Sequence, residues 1–256
     1  ELTFCNTNVK SLAALAEKVL AKYADVEKDA LRINFCFDPI MRNLSEKGEF
    51  CCGTGDECFD TIAKFIKATA EYKHVRVVNV AGALFSNAGS TIVEELGFTL
   101  AAAHEYIVKL MDRGLSIDEV ARKIRFTFAV TSNYFLEMAK FRAARLLWAN
   151  IVKAYNPEKN CSCKMRAHAV TSTWNQTVYD PYVNMLRGTT EAMSAAIAGV
   201  HSLEVLPFDY AYTNPTEFSE RIARNQSLLL KHESHFDQVI DPAGGSYYIE
   251  NLTKTI

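Results

Sequence analysis

The chain has 256 residues, of which 49% are hydrophobic and 23% are charged, and its formal net charge is −2. These values are typical of a folded globular domain and argue against a basic surface for nucleic acid or anionic membranes. No apolar run approaches the ~20 residues of a membrane span, and we expect no signal peptide. We expect a cytoplasmic protein with a single domain over residues 1–256. The start at Glu1 rather than at Met indicates a fragment or a processed chain.

The cysteines lack the spacing of a disulfide framework or of a structural zinc site. Their number, seven, is odd, and Cys5 and Cys36 lie in predicted strands, which favours reduced thiols. The others are Cys51, Cys52, Cys58, Cys161 and Cys163. These five could in principle bind zinc, but the paired CxxC spacing of such sites is missing. We therefore expect no metal site.

The first half of the chain alternates between strand and helix patterns. Short apolar runs predict strands at residues 2–6, 33–37 and 75–80. Three- and four-residue spacing of apolar side chains predicts helices at 12–20, 58–72 and 90–113. In the last of these helices, Val93 and Leu96 are predicted to face inward. Residues 41–56 are predicted to be irregular, with a turn at Gly53–Gly55 rather than a phosphate-binding loop.

The second half continues the alternation. Ser116 to Glu119 has the pattern of a capping box, which starts a short helix. Further strands are predicted at 124–129, 164–170 and 202–206, and further helices at 133–155, 180–199 and 215–233. In the first of these helices the charged side chains are expected mostly on a solvent-exposed face. They are Glu137, Lys140, Arg142 and Arg145.

The helix at 180–199 has the clearest end signals. Asp180 is predicted to cap it, Pro181 suits its first turn, and Gly199 is predicted to end it. Its apolar face is predicted to consist of Leu186, Thr190, Met193, Ile197 and Val200. In the preceding polar loop Trp174 is expected to be buried. In the turn-rich tail Tyr247 and Tyr248 are expected to pack beneath the turn.

Six strands that alternate with helices require a parallel sheet. Two architectures are open, the (β/α)8 barrel and the open doubly wound sheet. Polar residues occur within the predicted strands, namely Asn34, Asn79, Thr127, Arg166 and His168. An open parallel sheet prefers continuous apolar strands, whereas a barrel whose centre admits a polar ligand tolerates these residues. We therefore predict a TIM-type (β/α)8 barrel.

Several motifs resemble the barrel domain of methylmalonyl-CoA mutase. They are MRAHAVTSTW, DPY, TTEAM, HSLEVLPFD, RIARNQSLLL and DPAGGSYYIE, and upstream EMAKFRAARLLW and the segment 82–89 fit the same pattern. The family's barrel has eight strands, and the resemblance implies that Leu2 begins the third. The chain is therefore expected to form a partial barrel. The family's cobalamin-binding domain, whose DxHxxG signature does not occur in the sequence, is expected to be absent.

The resemblance implies an adenosylcobalamin-dependent isomerisation of methylmalonyl-CoA to succinyl-CoA in active members. Several groups that this reaction uses are replaced here. A His and a Gln of the loop at 82–89 become Leu84 and Ser86, and a Gln two residues after the strand histidine becomes Val170. A Thr and a Gln of an earlier strand become Asn34 and Cys36. Loss of one such group costs about 2–4 kcal/mol of transition-state stabilisation, so we expect no catalytic residue.

Other family positions change as well. The Arg that binds the substrate carboxylate falls on or near Glu46, which has the wrong charge. The Arg and Ser that contact coenzyme A in active members fall on Lys123 and Arg125. The Asn and Glu near the adenosyl group fall on Leu206 and Tyr210. Residual ligand contacts are expected at most from His168, Arg166, Lys123, Arg125 and Ser202.

The resemblance therefore implies a non-catalytic small subunit, which stabilises the catalytic large subunit in a heterodimer. The large subunit is expected to bind adenosylcobalamin, and this chain no cofactor. His168 is expected to be a buried, hydrogen-bonded strand histidine rather than a catalyst. Two alternatives stay open, a divergent acyl-CoA mutase acting on another thioester and a CoA-thioester binding module without turnover. A barrel without two strands also exposes sheet edges, so we expect the fragment to self-associate or to cover them with its terminal segments.

Overall fold

The computed structural model describes residues 2–4, 9–23, 26–45 and 55–256. The chain divides into two compact units. The first unit comprises Glu1–Ala81, Thr99–Phe126 and Trp148–Met165, and the second comprises Gly82–Phe98, Thr127–Leu147 and Arg166–Ile256. Each unit is described by itself.

Six strands form one sheet in the order in which they occur in the sequence. They are β1 (Leu2–Phe4), β2 (Ile33–Phe37), β3 (Val75–Ala81), β4 (Ile124–Val130), β5 (Ala167–Thr171) and β6 (Ser202–Glu204). Parallel pairing places Phe4 beside Phe35 and His168 beside Ser202. Parallel strands in sequential order, each followed by helical structure, are those of a partial (β/α) barrel, which confirms the predicted fold class.

Ten α-helices occur in the described residues. They are α1 (Val9–Lys22), α2 (Pro39–Ser45), α3 (Gly55–Ala68), α4 (Ala83–Asn87), α5 (Ile92–Met111), α6 (Ile117–Ala121), α7 (Tyr134–Lys153), α8 (Val183–Ile197), α9 (Glu217–His232) and α10 (Tyr247–Thr255). A 3₁₀ helix spans Asn160–Cys163. Among the described residues, none of these helices is long and apolar enough to cross a membrane.

The first unit has an aromatic core on its strands. The ring centroid of Phe65 lies 5.2 Å from that of Phe35 and 5.5 Å from that of Phe37. Because β2 alternates its side chains, both contacts come from the face that meets α3. Phe126 on β4 packs edge-on against the buried Trp148, with centroids 4.8 Å apart. The strand predicted at 33–37 forms with those bounds.

Local signals in the first unit were partly correct. The capping box is present, because Ser116 accepts from the backbone N–H of Glu119 while the Glu119 carboxylate accepts from the backbone N–H of Ser116. The irregular structure predicted from Met41 is wrong up to Ser45, because Pro39 opens α2 and suits a first helical turn. Helix α3 begins earlier than predicted, at Gly55. The rest of the predicted turn lies outside the described residues.

In the second unit, α8 buries a different face from the predicted one. Leu186 is 68% exposed, and the buried positions are Asn184, Gly188, Glu191, Ala192, Ser194 and Ala195. The small residues allow close packing, since a Cβ on Gly188 would lie 3.6 Å from a methyl group of Val205. The core there consists of Ala192, Val205, Ala223 and Leu230. A face of small and polar residues is therefore buried, and from the predicted apolar face Met193 packs against this core while partly buried.

The start of α8 also differs from the prediction, whereas its end agrees with it. The helix starts at Val183, and Asp180 lies before it with a φ of 46°, so Asp180 does not cap it. Gly199 follows the last turn with a φ of 69°, which is the left-handed conformation that glycine adopts easily. The predicted end is confirmed and the predicted cap is wrong.

Two of the four charged side chains of α7 that were predicted to lie on a solvent-exposed face are buried. Glu137 and Lys140 are fully buried, and the Lys140 Nζ lies 2.7 Å from Glu95 Oε2 and 2.6 Å from Glu137 Oε2. It also donates to the backbone oxygen of Ala129 at 2.7 Å. Burial opposes the charge on Lys140, but Glu137 and Glu95 outweigh it and raise its pKa. The result is a buried three-residue ionic network, which we call the Lys140 network.

The surface holds several aromatic and apolar side chains that were expected inside. Trp174 is 65% exposed, and Val93, Tyr247 and Tyr248 are also exposed. Tyr248 packs edge-on against Phe135 with centroids 5.6 Å apart, so it lies on the helix surface rather than beneath a turn. The predicted inward position of Val93 is wrong, whereas that of Leu96 is confirmed.

The expectation of reduced thiols is wrong for Cys36. Cys36 is disulfide-bonded, while Cys58, Cys161 and Cys163 are free. Among the described residues, no group of three or more His, Cys, Asp or Glu side chains could hold a metal ion. Cys5, Cys51 and Cys52 lie outside those residues, so the zinc alternative that used two of them is untested.

Candidate functional site

The candidate site of the second unit lies where β5 ends, the edge at which (β/α) barrels bind their ligands. The loop after β5 is joined to the segment 82–89. The Asn87 Oδ1 accepts from the Thr173 backbone N–H at 3.1 Å and from the Ser172 Oγ at 3.2 Å. The Ser172 Oγ in turn accepts from the Trp174 backbone N–H at 3.1 Å. These bonds fix the loop at the end of the strand.

Trp174 also attaches the loop after β5 to the segment 82–89, although its indole stays exposed. Gly89 has a φ of 97°, and a Cβ built on it would lie 3.0 Å from the Trp174 ring. A side chain at position 89 would therefore be strained by the backbone and would displace the indole. Glycine is needed here for both reasons.

Glu191, on the buried face of α8, also forms hydrogen bonds with the loop after β5. Its carboxylate accepts from the Ser172 backbone N–H at 3.1 Å and from the Asn175 side-chain amide. Burial raises the pKa of Glu191 to about 7, although both of these hydrogen bonds act to lower it. Because the bonding partners are donors, the ionised carboxylate is the form that holds the loop.

A second anchor of the loop is Asn184. Its amide donates to the backbone oxygens of Thr177 and Phe208 at 2.9 and 3.0 Å, and its Oδ1 accepts from the Thr177 backbone N–H at 3.1 Å. The Thr171 Oγ1 accepts from the Leu206 backbone N–H at 2.9 Å. The polar groups of this region are therefore directed to the backbone of neighbouring loops.

The replaced family positions of the second unit lie near this attachment. Leu84, on α4, is 43% exposed, while Ser86 on the same helix is buried. Val170 is half-buried in β5. Leu84 and Val170 have no side-chain atom that can hydrogen-bond a carbonyl or a carboxylate. This end of the unit therefore lacks the donors that the resemblance places there.

His168 and Ser202 are brought together, as neighbours on β5 and β6. The His168 Nδ1 lies 2.9 Å from the Ser202 Oγ, and its Nε2 lies 3.6 Å from Glu204 Oε2. The expected hydrogen bond of this strand histidine is present, but His168 is half-buried rather than buried. Arg166 precedes β5 on the same face, and its expected ligand contact stays a prediction.

The other predicted positions belong to the first unit. The Asn34 amide donates to the Thr3 Oγ1 at 3.3 Å, and Cys36 is disulfide-bonded. Lys123 and Arg125 are buried, and the Lys123 Nζ donates to backbone oxygens before β3. Glu46 lies outside the described residues.

Sequence reasoning missed a polar cluster where β2 ends. Asp38 accepts from the Tyr106 hydroxyl at 2.8 Å and from the backbone N–H groups of Met41 and Ala81 at 3.2 and 2.7 Å. Burial of its carboxyl group raises the pKa of Asp38 to about 7. An aspartate directly after a buried strand was the available signal. Since all its partners are donors, Asp38 ties the ends of β2 and β3 together.

The residues at the family's adenosyl position differ from the Asn and Glu that the resemblance places there. Leu206 is apolar, its backbone N–H is used by Thr171, and Tyr210 is exposed. Asp38 and Glu191 accept from loop backbone, and Glu95 contacts Lys140. The arrangement can hold loops in place.

Comparison with known proteins adds an independent finding. A family model described as methylmalonyl-CoA mutase matches residues 3–256. The chain is 56% identical to the methylmalonyl-CoA mutase small subunit of Porphyromonas gingivalis, over 100% of this chain and 42% of that protein. It is 38% identical to the small subunit of Streptomyces virginiae, over 95% of this chain and 39% of that protein. Against the Porphyromonas gingivalis large subunit it is 40% identical, over 70% of this chain and 25% of that protein. The chain spans about two fifths of the small subunits that it matches.

Proposed function

Because the chain belongs to the methylmalonyl-CoA mutase family, we propose that it is part of a non-catalytic small subunit of a two-subunit mutase. Two relatives named small subunit align with nearly all of it. In each of the two organisms a large-subunit relative also exists. This pairing of names supports a large-subunit partner.

The observation that carries the proposal is the side-chain chemistry at the end of β5 and on α4. Leu84 and Val170 stand where the resemblance requires groups that hydrogen-bond the substrate, and neither has a polar atom. A thioester carbonyl or carboxylate placed there would lose its water without gaining a donor, which costs free energy. The scaffold is kept while binding of the reacting groups is not supported.

The catalytic cofactor would then belong to the partner. Adenosylcobalamin supplies the radical chemistry of this family when it is bound, and we propose that the large subunit binds it. The role of this chain is to fold as a barrel domain and to stabilise the large subunit through a heterodimer interface. Its own side chains take no cofactor-dependent step.

The test is co-purification and activity of the complete polypeptide that contains this chain. Co-expressed with the large subunit, it should give a stable 1:1 complex that converts methylmalonyl-CoA to succinyl-CoA. Leu84→Ala in the small subunit should leave kcat/KM of that complex unchanged within about twofold, because the side chain contacts no substrate. Turnover by the small subunit alone would overturn the proposal.

The purified small subunit also distinguishes the proposed function from the two alternative functions. Turnover of a different acyl-CoA thioester by the small subunit alone would indicate a divergent mutase. Calorimetric binding of an acyl-CoA without turnover would indicate a binding module. Under the proposed function the isolated small subunit shows neither.

A further inference from the structure

The first unit contains a cavity of about 500 Å³ near the amino-terminal ends of β3 and β4. Its wall includes the end of α3, the turn before β3, α6 and the loop before the 3₁₀ helix. This volume lies within the range of about 300–1,000 Å³ that is typical of small-molecule sites. Lys123 is part of its wall.

The amine of Lys123 is fixed by two backbone acceptors. Lys123 is 6% exposed, and its Nζ donates to the backbone oxygen of Thr69 at 2.6 Å and to that of Tyr72 at 2.9 Å. A neutral amine has two N–H bonds and one lone pair. These two acceptors use both N–H bonds, so the lone pair stays available for a bond to carbon.

The electrostatic surroundings favour the neutral amine. Burial is the largest influence, and the guanidinium groups of Arg76 and Arg122 add to it, so that the pKa of Lys123 is lowered to about 7. Within the described residues no carboxylate accepts a hydrogen bond from this amine. A lysine that is desolvated next to another cation is the usual form of an amine that attacks carbonyl carbon at neutral pH.

The other charged residues of the wall are mostly committed elsewhere. Lys73 pairs with Asp29, Glu119 belongs to the capping box, and Asp118 accepts from Ser162 and from two backbone N–H groups. The remaining charged side chains of the wall are Arg122, Glu158 and Lys159. Lys159 also interacts with Asp118, so Arg122 is the cation beside Lys123 that an anionic group on a ligand would contact.

We propose that Lys123 is a nucleophilic lysine and that this cavity takes a small aldehyde or ketone bearing an anionic group, with which Lys123 forms an imine. The Nζ lone pair forms the N–C bond while the carbonyl π pair moves to oxygen, which takes one of the two N–H protons. The resulting carbinolamine loses its hydroxyl group together with the second N–H proton as water, and the C=N bond forms. Both N–H bonds are broken, so the two backbone acceptors hold the amine only until the imine forms. One water leaves, and no atom is oxidised or reduced. The proposal does not depend on the role as a small subunit.

The test uses pyridoxal 5′-phosphate as the anionic aldehyde on the complete polypeptide at neutral pH, with borohydride reduction and peptide mass mapping. Lys123 should be modified at least about tenfold faster than Lys64, an exposed lysine on α3. Its rate should rise with a midpoint near pH 7, while that of Lys64 should still be rising near pH 10. Equal rates for the two lysines, or modification of Lys123 only in urea, would overturn the proposal.

Two variants keep the test independent of folding. Arg122→Gln leaves Lys123 in place but removes a neighbouring cation, so the midpoint should move to higher pH and the rate at pH 7 should fall several-fold. Lys64→Arg is the matched control and should leave the modification of Lys123 unchanged. An unchanged midpoint in the Arg122→Gln protein would also count against the proposal.

Discussion

Among the described residues, each unit buries one lysine, and the two lysines have opposite surroundings. Lys140 in the second unit is 0% exposed and contacts two carboxylates. Lys123 in the first unit is almost as buried but donates to two uncharged backbone oxygens, beside two arginines. The pKa is raised in the first case and lowered in the second.

The comparison shows that burial alone does not decide the charge of an amine. Burial disfavours the ammonium form at both positions, and only the charge of the partners differs. Lys140 therefore acts as a structural cation. Lys123 is close to losing its proton near neutral pH, which is the condition for nucleophilic chemistry.

The largest expected effect is that of Lys140→Met. It leaves Glu95 and Glu137 buried without their cation, so the free energy of unfolding should fall by about 3–5 kcal/mol. Urea unfolding of the complete polypeptide measures this loss. Lys64→Met, at an exposed position, is the control and should change stability by less than about 0.5 kcal/mol.

A second substitution sharpens that result. Adding Glu95→Gln to Lys140→Met removes one of the two stranded charges and should restore part of the lost stability. A loss below about 1 kcal/mol for Lys140→Met alone would show that the carboxylates do not depend on this lysine.

An intermediate effect is expected from pH at Lys123. Its pKa is about 7 in the folded chain against an ordinary 10.5, so within this window the unfolded chain binds more protons and stability rises with pH. Below about pH 7 both states are protonated, and the cost of the buried charge is fully present. Urea unfolding at several pH values between about 7 and 10 measures this rise.

The control for this pH effect is Lys123→Arg. The guanidinium group stays charged in both states, so the contribution of this position to the slope should vanish. The difference between the two proteins isolates Lys123 from the other groups that titrate in the same range. Parallel slopes in both proteins would contradict the lowered pKa.

The smallest expected effect is that of removing Arg113, a cation whose carboxylate partners lie near the surface. Arg113 contacts Asp60 at 2.6 Å and Asp56 at 3.0 Å, and both carboxylates are largely exposed. Arg113→Ala should therefore cost at most about 1 kcal/mol, and less at high salt. Chemical unfolding at low and high ionic strength measures it. A cost above about 2 kcal/mol would indicate that the contact of Arg113 with the Phe59 ring also matters.

Local sequence signals correctly predicted several strand and helix boundaries. The strand at Ile33–Phe37, the capping box at Ser116 and the end of α8 at Gly199 depend on residues within a few positions of one another. The strand alternation also placed His168 and Val170 on one face of β5. Such features need no information about distant parts of the chain.

Contacts between distant residues could not be predicted in this way. The carboxylate of Glu95 that contacts Lys140 comes from 45 residues upstream, so the charge pattern of α7 alone indicated a solvated face. Helix α8 buries Glu191 because the carboxylate oxygens of Glu191 accept hydrogen bonds from Ser172 and Asn175. The periodicity of apolar residues does not show such contacts. The resemblance assigned Lys123 to ligand contact, and it did not show the hydrogen bonds of this amine to the turn before β3.

The two tryptophans of the chain offer a spectroscopic consequence, because they differ in solvent access and belong to different units. Trp148 is fully enclosed in the first unit, and Trp174 covers Gly89 at the surface of the second. A dissolved quencher such as acrylamide collides far more often with an exposed indole. Quenchable emission therefore reports the loop at the end of β5, and protected emission reports the aromatic interior of the first unit. One unlabelled sample can thus show whether the two regions melt together or in sequence.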